Sequence, residues 1–312
     1  MKRLKYIISS LAAVLLISCE RTIEIDLPAH EPKLTIDCHL MAGKVAEAKV
    51  SHSMHSMGNS NNFSALPDAE VVLFENNVSV DTLIYVDDNT EEWWDYEIGV
   101  FVGDYIVKSG KTYKVQVNQG NYETAYGETV CPGNSIEISE IDMSELLIDS
   151  FPDYWGEGNY QYYRKGKLKF KVSGPLDENL HYFLSITDQN EDAPMYMISN
   201  DPIIAGQEYN ISDGGVYPSQ KLYFSGSSFN LNTVLTIELN PESSWYGETD
   251  ITDGLIIKLE VQNNDYFEFM SKLDDYDQAV YNPFAEMVFL PNNIEGGYGI
   301  VSARAEYEKT TD

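Results

Sequence analysis

Leu16-Ile17-Ser18-Cys19 carries the most definite chemistry in this chain. A thiol follows a small residue at the end of the apolar run Tyr6–Ile17, which itself follows the cationic start Lys2, Arg3 and Lys5. A charged start, a short apolar stretch and a small residue at the cut make an export signal. The cysteine turns it into a lipoprotein box, so residues 1–18 are expected to be removed and Cys19 to become the lipidated N-terminus, carrying palmitate. The apolar run is too short to span a hydrocarbon core of about 30 Å as a helix.

Other residue groups offer other chemistry, each with a plainer reading beside it. His52, Met54, His55 and Met57 bring soft and borderline donors within six residues, a set suited to copper or silver. A strand would send His52 and His55 to opposite faces, which makes them a polar strand end instead. Asp188-Asn190-Asp192 and the run Asp87-Asp88-Glu91-Glu92 offer hard oxygens at spacings calcium can use, without the glycine and distal glutamate of a helix-loop-helix site. They read as solvated acidic loops. Aromatic residues gather at Trp93-Trp94 beside Asp95, at Trp155 near Tyr160, and at Trp245 beside Tyr246. Rings next to acids stack on and hydrogen-bond a sugar or a peptide, and they also fill sandwich cores.

Catalysis finds little support. The chain has no Gly-x-Ser-x-Gly elbow and no His-Glu-x-x-His pair, and only five histidines to act as bases. A carboxylate pair for glycoside hydrolysis cannot be singled out among 50 acids. Gly296-Gly297-Tyr298-Gly299 follows Glu295 and precedes no amphipathic helix, so it reads as a turn between strands and not as a phosphate loop. No cofactor motif is present, and none is expected.

Composition bounds the partners. Removing residues 1–18 takes three cations and no acids, so the formal charge of −30 becomes −33. Such a field repels nucleic acid and anionic surfaces, and nucleic-acid binding is excluded. With 43% hydrophobic residues in 312, the mature chain can bury more than one core.

The elements that must position these residues are strands. Apolar residues recur at period two in Tyr113/Val115/Val117, Leu168/Phe170/Val172, Leu235/Ile237/Leu239 and Leu255/Ile257/Leu259/Val261, with turn-forming residues between the runs. The segment 264–277 is expected to be helical, with Asn264 as cap and Tyr266, Phe269, Met270 and Leu273 as its apolar stripe. The fold class is therefore all-β. An immunoglobulin-like sandwich over 32–132, behind a tether over 19–31, is followed by a larger β domain over 133–312 with one amphipathic helix.

Cys38 and Cys131 fall in the first and last strands of that sandwich. An exported protein allows them to pair, and a bridge over a sequence separation of 93 (131 minus 38) would contribute about 4–5 kcal/mol if geometry permits. Two separate buried thiols are the other reading. Ile23, Ile25 and Leu27 already alternate with Glu24 and Asp26 only a few residues after Cys19, so the body is either held close to the lipid by an ordered segment or joined by a frayed one.

Several short pieces, in order, resemble one family. They are Cys19-Glu20, Ile25-Asp26-Leu27-Pro28, Glu31-Pro32-Lys33-Leu34, Asp68-Ala69-Glu70-Val71-Val72-Leu73, the helix with Tyr266 and Phe269, Asn282-Pro283-Phe284, and Asn293-Ile294-Glu295-Gly296-Gly297-Tyr298-Gly299-Ile300. The chain is similar to the outer-membrane lipoproteins of Bacteroidetes assigned to domain of unknown function family 4249, and departs from them at Asp37-Cys38 and Val301. The resemblance implies a lipid-anchored accessory protein, encoded beside a TonB-dependent receptor of the outer membrane and assisting nutrient binding or uptake. It also implies a bilayer partner through the acyl chains, and O-glycosylation at Thr82 within Asp81-Thr82-Leu83. A surface adhesion or structural protein-binding module is the alternative function, and a glycoside hydrolase the third.

Overall fold

The computed structural model describes residues 30–54, 65–87, 99–133, 136–152, 160–174, 179–189, 195–199, 201–205, 211–212, 215–216, 220–225, 233–239, 254–280, 286 and 288–311. The class is all-β with one amphipathic helix. The first strands are β1 (Leu34–Met41), β2 (Val45–His52), β3 (Glu70–Glu75), β4 (Val78–Val86), β5 (Val100–Ile106), β6 (Thr112–Asn118) and β7 (Ala125–Val130). β8 (Glu137–Pro152), β9 (Tyr160–Ser173), β10 (His181–Asp188), β11 (Met197–Ile198), β12 (Ile211–Ser212), β13 (Gly215–Val216), β14 (Leu222–Ser225), β15 (Thr233–Leu239) and β16 (Leu255–Gln262) follow. The helix Asn264–Val280 comes next, and β17 (Ile294–Glu295) and β18 (Tyr298–Thr310) end the chain.

One sheet runs in the order β14-β10-β16-β18-β1-β2-β5-β4-β3-β6-β7-β17 and a second in the order β11-β15-β9-β8. Alternation decides which face each strand buries. In β1, Leu34, Ile36, Cys38 and Leu40 point inward while Asp37 and His39 point out. β4 passes its pairing from β5, through Ile84–Val86, to β3, through Val78–Leu83. The two halves of the first core are joined by that bent strand, and its hairpin with β3 turns at Asn76 and Asn77, both at positive φ.

Two cores form. The first holds Leu34, Ile36, Val50, Val71, Leu73, Phe101, Tyr113, Val115 and Val117, and it also takes Ile294, Val301 and Ala303 from the end of the chain. Residues from the segment expected as a separate domain over 133–312 thus pack in the same core as residues of 32–132. The second core packs Leu168, Phe170, Val172, Leu235 and Ile237 of the small sheet against Tyr182, Leu184, Ile186, Leu255, Ile257 and Leu259 of the large one.

β18 belongs to both. It pairs parallel to β1 from Thr35↔Tyr298 to Met41↔Arg304 and antiparallel to β16 from Gln262↔Arg304 to Ile256↔Thr310. Its 13 residues span about 40 Å at roughly 3.3 Å each, so it serves as an axis with a Tyr298 end and a Thr310 end. Gly299 sits in that ladder at φ +113, where a Cβ would run into the Ile36 carbonyl; the close approach of β1 and β18 requires glycine there.

Candidate functional site

The helix is fixed where the two cores meet, and Asn263 does the fixing. Its Oδ1 accepts from Tyr266 N–H at 3.0 Å and Ala303 N–H at 3.3 Å, while its Nδ2 donates to Thr129 Oγ1 at 2.6 Å and the Val130 carbonyl at 3.3 Å. All four side-chain bonds of a buried amide are thus made, and β7, β18 and the first helical turn are tied to one residue. The cap is Asn263, not the expected Asn264, whose Nδ2 instead donates to Glu268 at 2.7 Å.

The outer face of β10, β16, β18 and β1 under the helix is polar and aromatic. Tyr266 is buried, and Phe269 is half-buried, whereas Met270 of the expected stripe is exposed. Tyr266 and Phe269 stand 5.2 and 5.5 Å from the His39 ring. Arg304 donates to Tyr266 Oη at 2.8 Å and lies 3.7 Å from Glu260. Farther along, the His181 ring stacks on Phe267 at 3.7 Å, with Nδ1 2.9 Å from Tyr223 Oη and Nε2 3.3 Å from Asn264 Oδ1. Burial holds the His181 pKa below its usual value against the pull of Asn264 and Glu268.

Within this face Asp37, His39 and Ser302 form a relay: His39 Nε2 is 3.0 Å from Asp37 and Nδ1 is 2.6 Å from Ser302 Oγ. Burial works against the Asp37 charge, but the His39 hydrogen bond, with the His39 and Lys49 charges, holds its carboxyl below the usual range. A serine nucleophile needs an open face, and Ser302 has 0% exposure. It is the direct partner of His39 across β1 and β18, so the set works as a cross-strand clamp and offers no nucleophile to a substrate.

The other notable place is the Thr310 end of the axis. β9 pairs with β15 as far as Gly166↔Leu239, and beyond that point β8 and β9, among the described residues, pair with each other only, as a ribbon from Leu147↔Lys165 to Pro152↔Tyr160. At its root Arg164 contacts Asp188 at 3.2 Å, the two side chains being 6% and 0% exposed. A buried pair of this kind fixes geometry, because losing either partner strands a charge. Asp188, expected in an acidic loop, is thereby the buried end of β10; Asn190 and Asp192 lie outside the described residues.

The sequence profile of the domain of unknown function DUF4249 matches residues 20–310. The chain belongs to that family. No curated protein matches it.

In this DUF4249 chain four of the pieces that carried the resemblance fall at the entry to β1, at β3, on the inner side of the helix, and at the β17–β18 turn around Gly296 and Gly297, while Cys19-Glu20, Ile25-Asp26-Leu27-Pro28 and Asn282-Pro283-Phe284 lie outside the described residues. Of the departures, Asp37 is the partner of His39, and Val301 is fully buried beside the first core.

Cys38 and Cys131 are both buried and unbonded. The Cys131 thiol sits 3.7 Å from the Arg304 carbonyl, level with Met41, three residues past Cys38 along β1. Of the two readings the structure has the separate buried thiols, and burial pushes the pKa of the Cys131 thiol up to about 12.

His52 ends β2 and stacks on Tyr122 at 6.3 Å, while His55 and Met57 lie outside the described residues. Among the described residues no three His, Cys, Asp or Glu side chains are grouped to hold a metal. Thr82 is exposed on β4, and the neighbouring Asp81 carboxylate accepts from the amides of Thr82, Asp104 and Tyr105.

Cys19, Trp93, Trp94, Trp155 and Trp245 lie outside the described residues, and Tyr160 opens β9. The strand ends that flank them are described, and they sort into two places. Leu239 of β15 faces Gly166 and Leu255 of β16 faces Asp188 at the root of the ribbon, and Pro152, which precedes the Trp155 segment, faces Tyr160 at its tip. Val86 and Val100, which flank Trp93 and Trp94, pair on the β5 side of the first core.

Sequence reasoning missed Asn263, the Arg164–Asp188 pair and the His39 clamp. The one signal available was the place of Arg164 just ahead of the alternating lysines 165, 167, 169 and 171.

Proposed function

We propose that this chain is a lipid-anchored accessory protein of the outer membrane, of the kind found in Bacteroidetes, that assists a TonB-dependent receptor in nutrient binding or uptake. The observation that carries it is the box Leu16-Ile17-Ser18-Cys19 behind a cationic, apolar leader. Leu34, the start of β1, lies fifteen residue steps beyond Cys19 (34 minus 19), which at about 3.6 Å per step limits the tether to roughly 54 Å. A tether of that reach keeps the body beside membrane partners, and family membership over residues 20–310 is consistent with the role.

The work assigned to the folded body is binding. Its Trp-bearing segments supply the candidate contacts, and the buried Ser302 hydroxyl offers a substrate no nucleophile. Radiolabelled palmitate should enter the wild-type chain and not Cys19→Ala, and the variant should leave the membrane fraction. Mild-detergent purification of the wild type should bring down a large barrel protein. Unchanged membrane retention of Cys19→Ala, or recovery of the anchored chain without a barrel, overturns the reading.

A further inference from the structure

We propose that the straight half of β8, Glu145–Pro152, is a docking edge that accepts an extended cationic segment of another protein as an added strand. β8 pairs with β9 on one side, and among the described residues no strand pairs with its other side. An open edge is a template for strand addition, and proteins normally blunt such edges with bulges or charges. The first half of β8 is blunted in this way. Its register breaks between Ser139 and Asp142 and again between Asp142 and Glu145, with Glu140 at φ +51. A hollow of about 360 Å³ opens there between Ser139–Met143 and Lys309–Thr311.

From Glu145 onward the bulges stop. Pairing with β9 is continuous from Glu145↔Lys167 to Pro152↔Tyr160. Leu147 and Ile148 are 61% and 52% exposed, and as successive strand residues they lie on opposite faces, so an added strand would bury apolar surface on both. The ribbon would be marginal by itself, but the buried Arg164–Asp188 pair anchors its root. The Ser150 amide is held by Asp149 at 2.8 Å, a local bond that an incoming strand can replace.

Charge selects the occupant. β8 carries Glu137, Glu140, Asp142, Glu145 and Asp149 and no Lys or Arg. Across the sheet the signs alternate, from Glu238 on β15 to Lys167 on β9 to Glu145 on β8, so the next column calls for a cation. The pairs Lys165–Asp149 and Lys169–Glu145 are 36–50% exposed, and pairs so exposed rearrange at a cost of about 1 kcal/mol or less. A second copy would set one acidic β8 beside another, where like charges repel.

The partner is therefore a segment alternating Lys or Arg with aliphatic residues, bound by strand addition. This edge does not depend on lipidation, so it and the anchoring reading can fail separately. The test uses the full chain in detergent and the labelled peptide Lys-Val-Lys-Ile-Lys-Val-Lys, compared with the same peptide carrying Glu for Lys. The cationic peptide should bind at least tenfold tighter, lower amide exchange across 145–152, and lose at least tenfold in affinity to Leu147→Lys/Ile148→Lys, whose Tm should match the wild type. Equal binding of both peptides, protection elsewhere, or self-association abolished by the double variant would each overturn the proposal. The last of these would give the edge to a second copy.

Discussion

In the first core the end of the chain closes what its beginning started. β17 pairs with β7, β18 with β1, and Ile294, Val301 and Ala303 complete the packing around Leu34 and Ile36. In the second core the small sheet ends on β8, which runs past its support as a ribbon held by one buried ion pair. The two share β18, so the same strand ends a closed body and abuts an open one. The lesson is a division of labour: edges are satisfied near the chain's entry at Leu34 and left available at the far end, where recognition can use them.

The contrast can be broken most forcefully at Arg164. Arg164→Ala leaves Asp188 buried without this partner and is expected to destabilise by about 3–5 kcal/mol. By hydrogen exchange the loss should concentrate in β8–β10, with β1–β7 retaining protection. Equal loss in both halves would show that they unfold as one unit.

Gly299→Ala attacks the seam from the other side. Positive φ and the Ile36 carbonyl together predict a loss of about 2–3 kcal/mol by chemical denaturation, felt first in β1 and β18. A neutral effect would mean that the parallel ladder is looser than its register implies.

The smallest effect is a pH dependence of helix docking. His181 has a folded pKa depressed by burial and an unfolded value of about 6.5. Its contribution is thus present above about pH 6.5 and is lost as the pH falls toward the folded value. The groups facing it are Tyr223, Phe267, Asn264 and Glu268. His181→Phe keeps the stack and should flatten the stability curve of the wild type between pH 7 and 5; parallel curves would remove His181 from the account.

Much of this was readable in advance at the level of single strands. The alternating sets at 113–117, 168–172, 235–239 and 255–261 are all buried as their period implies. The helix lay where Tyr266 and Phe269 placed it, although its cap moved back one residue because only Asn263 faces both β18 and β7. The candidate site was far less legible. Arg164 and Asp188 look like surface charges in sequence, and nothing near His39 announces Ser302, 263 residues away.

The sequence by itself determined the acidic charge, the strand class and the inward face of the alternating strands, because these are local properties of composition and period. Only the tertiary structure decided that β18 joins β1, that two cysteines in one core stay unbonded, and that β8, among the described residues, pairs on one side alone. A period of two states which way a side chain points and is silent about which strand lies beside it, since pairing depends on residues hundreds of positions away.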